Sequence, residues 1–240
     1  MSMMALIAAG TLGAADPKIQ DVTSRNLQDV SFTARVGSAN QRELAKINED
    51  FANSYRFKAS NVWIKEPLKL RMESKVEDTS IFFIVNGTTR LVRIPKARIN
   101  QKEDLSKSPG KRQTPLDFGL LPPSLFRDFF QGKFVRTETR GDFAGCHVFD
   151  LTYVPSLKDG TRHRVWVDPK TRFTAKREWY SQFGGTLMAT FVYDQAKEFN
   201  GVWIPTRATV RNADDKVGGT TSYSAVKVNQ GLADSLFKVD

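Results

Sequence analysis

Cys146 and His147 stand side by side, a thiol next to a base, and this is the nearest the chain comes to a nucleophile with its activating partner. Neighbouring side chains of a strand point to opposite faces, so the two cannot share a useful hydrogen bond. The thiol reads as a buried structural cysteine. His163 lies in a different segment, and neither histidine belongs to an HxxxH or CxxC spacing or a carboxylate cluster, so no metal site is expected. Asp168, Glu178 and Asp194 are the carboxylates an acid–base pair would draw on. Each falls at a turn or between basic neighbours, as Glu178 does beside Arg177, where a solvated ion pair is the ordinary role. Gly184-Gly185 and Gly218-Gly219 separate strand-like runs and read as hairpin turns, and no phosphate loop or nucleophile elbow is present. The expectation is a protein with no catalytic residues, no metal and no cofactor, hence not an enzyme.

What the chain does carry is apolar bulk in alternation. From Val62 to Val228, strand-like segments are heavy in Trp, Phe and Tyr, which suggests binding of something apolar. Phe149, Leu151 and Tyr153 share one strand face, and Leu187, Ala189, Phe191 and Tyr193 share one face of another. Val165 and Val167 oppose Trp166, while Trp179 and Tyr180 are neighbours and must face opposite ways, so both sides of the sheet carry large side chains. A sheet curved around a ligand or helices, with large residues also on its outer face, accounts for this pattern.

The elements that would hold these residues begin with a helix. Asp16 can cap it, Pro17 suits its first position, and Ile19, Val22, Leu27 and Val30 share one broad face. Residues 31–36 alternate as a strand, and Leu44, Ile47 and Phe51 mark a short second helix. Strands over 55–65, 68–76, 80–85 and 88–94 form a meander, with Asn86-Gly87 as a two-residue hairpin turn. A second run follows at 133–139, 145–154, 161–168, 174–182, 186–194, 201–211 and 218–228, broken by turns such as Lys158-Asp159-Gly160 and Asn200-Gly201. The fold class is mainly β, with about eleven antiparallel strands.

Residues 95–132 interrupt the strands. The stretch 93–112 carries Arg93, Lys96, Arg98, Lys102, Lys107, Lys111 and Arg112 against only Glu103 and Asp104, and reads as a mobile, positively charged loop. Beyond it Leu116, Phe118, Leu120 and Leu121 lead to Pro122-Pro123, and Leu125, Phe126, Phe129 and Phe130 follow as the apolar face of a short helix. Such a helix either plugs one end of a sheet or gates a cavity, and the pattern allows both.

The chain has 240 residues, 36 of them basic and 26 acidic, for a formal charge of +10. That balance favours an anionic surface, whether phosphate, lipid headgroup or nucleic acid. Residues 1–15 read as a truncated export signal, with Met3, Met4, Leu6, Ile7 and Leu12 before the small residues Gly13-Ala14-Ala15. No basic residue precedes Lys18, so an apolar tail is the alternative reading. One domain over 16–240 would follow, exported and soluble. Its single Cys146 allows no internal disulfide and lies too far from the signal to be lipidated.

Several segments together resemble one family. Ser31-Phe32-Thr33-Ala34-Arg35-Val36 looks like its first strand, Trp63-Ile64-Lys65-Glu66-Pro67 like its Trp-hydrophobic-Lys-Arg-Pro segment, and Asn86-Gly87 like the hairpin that follows. Val165-Trp166-Val167-Asp168, Asn200-Gly201-Val202-Trp203-Ile204-Pro205 and the run from Gly231 to Phe237 are similar to its C-terminal half. The family is the LolA/LolB-like periplasmic carriers and receptors for outer-membrane lipoproteins, and the resemblance covers most of the chain beyond residue 15.

This resemblance implies an unclosed antiparallel β-barrel around a hydrophobic cavity, with covering helices as a lid and no bond made or broken. The cavity would be lined by Phe32, Trp63, Leu70, Met72, Phe83, Phe149, Leu151 and Phe191. The lid would be Leu121, Leu125, Phe126, Phe129 and Phe130. The implied partners are lipoprotein or lipid acyl chains, an inner-membrane donor complex and an outer-membrane acceptor, with the basic stretch 93–112 against an anionic membrane surface. The protein would be a periplasmic monomer. One position departs from the pattern: where the family places an Arg that helps latch the lid, this chain has Glu66, so that latch is excluded there. The competing classes are an envelope-sensing module on the same scaffold and a nucleic-acid binder driven by charge. The export pattern argues against the latter, and no nucleic-acid partner is expected.

Overall fold

A computed structural model describes residues 15–183 and 185–240. The export-signal segment, apart from Ala15, and Gly184 of the expected Gly184-Gly185 turn lie outside these residues. Among the described residues, alternation and pairing build fifteen strands: β1 (Asp29–Ala39), β2 (Ala59–Lys65), β3 (Lys69–Val76), β4 (Thr79–Asn86), β5 (Thr89–Ile94), β6 (Ile99–Asp104), β7 (Phe130–Thr137), β8 (His147–Tyr153), β9 (Arg162–Val167), β10 (Thr174–Tyr180), β11 (Leu187–Asp194), β12 (Lys197–Phe199), β13 (Val202–Ile204), β14 (Arg207–Asn212) and β15 (Val217–Val228). Thirteen of them form one sheet in the order β6-β5-β4-β3-β2-β1-β15-β14-β11-β10-β9-β8-β7, and β12 pairs with β13 alone. Every pairing is antiparallel.

The sheet does not close, because β6 and β7 stand at its opposite edges. They are nevertheless the two strands joined by residues 105–129, so this connection has to travel from one edge to the other. The long central strands β1 and β15 carry register shifts, between Ser31 and Thr33 and between Val36 and Ser38, where the extra residues bend the sheet. Two short helices, α1 (Gln41–Ala45) and α2 (Glu49–Ser54), begin where Asn40 and Asn48 accept hydrogen bonds from the Glu43 and Phe51 amides. Leu44 and Ala52 of these helices, and Ile47 between them, are buried against the sheet's main apolar face.

Three expectations are corrected. The N-terminal helix reduces to one 3₁₀ turn, Ile19–Asp21, and Val30 belongs to β1. Its four apolar residues serve two different cores, Ile19 and Val22 in one and Leu27 and Val30 in the other, which one helix face cannot do. Ile19 also lies so close to Gly132 that a β-carbon there would stand 2.6 Å from it. The basic stretch is not wholly a loop. After the turn Pro95–Ala97, residues Ile99–Asp104 pair with β5 as the edge strand β6, and charges such as Lys102 and Asp104 blunt that edge against further pairing. In place of the helix expected over 125–130 there is one 3₁₀ turn, Pro123–Phe126, preceded by another at Pro115–Phe118, each opened by a proline, while Phe130 already starts β7.

Candidate functional site: the strap across the concave face

Cross-strand register assigns the faces. Phe32, Val62, Met72 and Phe83 stand opposite one another in one row, and Val30, Ile64, Leu70 and Val85 in the next. Across the other half Phe191, Arg177, Val165 and Phe149 form one row, with Ala189, Trp179, His163 and Leu151 beside it. This is the concave, apolar face. Of the expected cavity residues, Phe32, Leu70, Met72, Phe83 and Phe191 belong to its larger cluster, and Phe149 and Leu151 to a second one. Trp63 does not line it. It lies on the opposite face with Ile84, Leu91 and Phe237, under the C-terminal segment.

The expected lid residues come together on the concave side. Leu121, Leu125, Phe129 and Phe130 are buried with Phe149 and Leu151, and Phe126 packs on the same cluster. All but Phe130 belong to a strap, residues 105–129, laid over the sheet. It presses closest at Gly119, whose φ of +74° suits glycine and where a β-carbon would meet the Tyr193 ring at 2.8 Å. Phe118 of the strap meets Phe32 edge-on with 5.5 Å between ring centroids. The concave face is therefore covered by the strap's side chains together with those of α1 and α2.

Polar contacts pin the strap in the middle. Arg177 of β10, only 4% exposed, donates from Nη1 to Oδ1 of Asp117 at 2.8 Å, and its guanidinium lies 4.1 Å from the centre of the Phe191 ring. Asp117 also accepts from the Thr114 amide, which caps the first 3₁₀ turn. The Tyr193 hydroxyl donates to the Leu116 carbonyl at 3.2 Å, and burial pushes its phenol up to about 12. His163 is buried against Phe130, with ring centroids 5.7 Å apart; burial, with Arg177 and Arg162 nearby, holds it well below the usual imidazole range and so neutral.

Glu66, where the resembled family has its latch arginine, does face the strap. A surface hollow of about 450 Å³ is lined there by Arg25, Lys65, Glu66, Ser124 and Arg127, among others. Burial raises the Glu66 carboxyl above its ordinary value, and its Oε1 has no hydrogen-bond partner. A raised pKa means the folded state holds the proton more tightly than the unfolded one. Stability is then fullest below about pH 4.3 and declines as pH rises through the folded-state value. Glu66→Gln is expected to denature with the parent protein at pH 4 and at a higher urea midpoint at pH 7. Equal midpoints at both pH values would refute the buried, strained carboxylate.

The other polar residues singled out in the sequence are structural. Cys146 is buried with Val148 and Trp166, and burial lifts its thiol to about 11, which leaves it unreactive. Asp194 pairs with Arg207, and Asp168 accepts from the Lys170 and Thr171 amides of its turn. Glu178 pairs with Lys176 rather than with its neighbour Arg177. Among the described residues no group of three His, Cys, Asp or Glu side chains is placed to hold a metal, and no helix is long and apolar enough to cross a membrane. Arg177 and Asp117 are the residues of this candidate site hardest to see in the sequence. The one signal was Asp117 itself, a lone carboxylate inside the apolar run from Leu116 to Leu121.

An open antiparallel half-barrel with its mouth crossed by a strap is the LolA-like class of fold. Known structures place it there: a LolA superfamily protein from Nitrosomonas europaea aligns with a TM-score of 0.61 and 17% identity, covering 92% of this chain and 98% of that one. A putative outer membrane lipoprotein-sorting protein domain from Vibrio parahaemolyticus aligns equally, at 0.61 with 11% identity over 92% and 93%. A DUF1329 family protein from Desulfovibrio piger follows at 0.53, with 13% identity over 92% of both chains. At these identities the likeness is one of fold. A family model described as an uncharacterized protein matches residues 124–240, and a search of curated proteins finds no match.

Proposed function

We propose that this protein is a periplasmic carrier that takes the acyl chains of a lipoprotein or lipid against the concave face of its half-barrel, in exchange for the strap. The observation that carries this reading is the strap itself: an apolar segment tied to the sheet at its two ends and covering part of an apolar face. Exposing Leu116, Leu120, Leu121 and Leu125 to water would cost on the order of 6–12 kcal/mol at roughly 1.5–3 kcal/mol per buried side chain. The strap therefore does not lift into water unaided. Hydrocarbon of a cargo, worth about 0.8 kcal/mol per methylene removed from water, offsets that cost when it takes the strap's place. Met72 and Phe83, only partly buried in the cluster, mark where a chain would enter. The exposed basic residues Arg93, Lys96, Arg98, Lys102, Lys107 and Lys111 flank the strap's origin and suit an anionic donor or acceptor membrane.

Native mass spectrometry with lipid extraction, on protein purified from the envelope fraction, tests the proposal. Acylated species should co-purify with the parent protein and be lost from Met72→Glu and Phe83→Glu. A clean apo mass, with no uptake from added lipid, would overturn it.

A further inference from the structure

The space under the strap is not uniformly apolar. Arg177, His163 and Tyr153 descend diagonally across β10, β9 and β8 on the concave face, and Arg112 comes from the strap to the Tyr153 end of this row, its guanidinium 5.0 Å from the centre of the Phe129 ring. Phe129 in turn stacks edge-on against Tyr153 with 5.1 Å between centroids. The Tyr153 phenol lies in the field of the Asp159 and Asp117 carboxylates as well as of both guanidinium groups. Three polar atoms of this group are buried with no partner: Nε of Arg112, Nε of Arg177 and Nδ1 of His163. Arg177 is 4% and His163 7% exposed, so water does not satisfy them from outside.

Arg177 has Asp117 as its counter-ion, and Arg112, half-buried, forms no ion pair among the described residues. Asp159, whose carboxylate also lies near Tyr153, accepts from the Gly110 and Thr161 amides and forms no ion pair with Arg112. An apolar half-barrel gains nothing in packing from two guanidinium groups, because burying charge is costly unless it is paired. The arrangement makes sense if a second anion completes it. Two guanidiniums with free N–H groups and a neutral imidazole are the donor set that phosphate and carboxylate oxygens take up.

We propose that Arg112, Arg177 and His163 form a subsite for the anionic phosphate or carboxylate headgroup of the cargo, and that the Asp117 carboxylate occupies part of it while the strap is closed. This rests on the carrier reading and adds to it the chemical class of the cargo: an acyl lipid bearing an anion next to its chains. Arrival of the headgroup then displaces Asp117 from Arg177 and frees the strap, so that headgroup recognition and opening are one event.

The test compares dioleoylphosphatidylglycerol with dioleoylglycerol, which share their acyl chains and differ in the anionic headgroup, titrated from neutral detergent micelles into the delipidated full-length chain and read by native mass spectrometry. The parent protein should bind the anionic lipid at least about tenfold more tightly, the effect of one good charge-assisted contact. Arg112→Gln and Arg177→Gln should each bring that ratio towards one. Asp117→Asn, which removes the competing carboxylate, should raise the affinity for the anionic lipid more than that for dioleoylglycerol; an equal gain for both lipids would reflect only a loosened strap and would count against the subsite. Equal binding of both lipids by the parent protein would overturn the subsite and leave the carrier reading standing. Uptake of neither lipid would overturn the carrier reading and the subsite with it. Inorganic phosphate alone separates the sources: thermal protection by phosphate without any preference between the lipids would assign these residues to a free anion and overturn the headgroup assignment.

Discussion

Asp117→Ala is expected to lower folding stability by about 3 kcal/mol, the lower end of the range for breaking a buried ion pair, because it leaves Arg177 in the interior without a counter-charge. The lower end applies because the Asp117 side chain is still 35% exposed, against 5% for that of Arg177, so some water reaches the pair. The double variant Asp117→Ala with Arg177→Met should recover most of the loss, since a methionine among Phe191, Val165 and Tyr193 asks for no partner. Urea unfolding of the four proteins gives the coupling directly. A loss below about 1 kcal/mol for the single variant would mean that the pair behaves as a surface contact and does not pin the strap.

Phe237→Ala is expected to cost about 3–5 kcal/mol, the range for deleting a buried phenylalanine ring. Phe237 is fully buried on the convex face between Ile84 and Leu91, with Trp63 packed against them. The C-terminal segment that carries it is held along its length: Lys65 donates to the Leu232 carbonyl, Arg71 to that of Leu236 and Asn86 to that of Phe237. Asp234 pairs with both Lys65 and Lys69, and those contacts hold its carboxyl down at about 2. A depressed carboxyl contributes stability at neutral pH that is lost as pH falls through that value. Calorimetry on Phe237→Ala checks the prediction. A melting temperature unchanged from the parent protein would show that the tail is an ornament on the convex face and no part of the core.

The two variants separate the two faces of one sheet. Losing Phe237 should weaken the fold without changing lipid preference. Losing Asp117 should weaken the empty protein and be compensated by an anionic lipid, because a ligand that binds only the folded state stabilises it by mass action.

Much of this molecule was legible in its residues. Alternation placed β2 to β5 and β7 to β11 to within a few residues, since a half-buried strand has a period of two whatever surrounds it. Asn86-Gly87 marked the β4–β5 turn, where Gly87 has a φ of +61°. The apolar run from Leu116 to Phe130 announced a segment that had to cover something, and the missing latch arginine at Glu66 was visible directly. Three features were decided by tertiary structure alone. Trp63 faces away from the concave side because both faces of this sheet are covered, and alternation then shows two sides without saying which is inner. Residues 105–129 became a strap because β6 and β7 ended at opposite edges, a consequence of strand order that no local pattern contains. Arg177 found Asp117 across 60 positions of sequence, and its burial comes from the strap lying over it, so its own neighbours in the chain, Lys176 and Glu178, gave it the look of a surface charge. Local residue types determine period, turns and caps through short-range sterics and hydrogen bonding. Which charge is left without water depends on what the chain places above it.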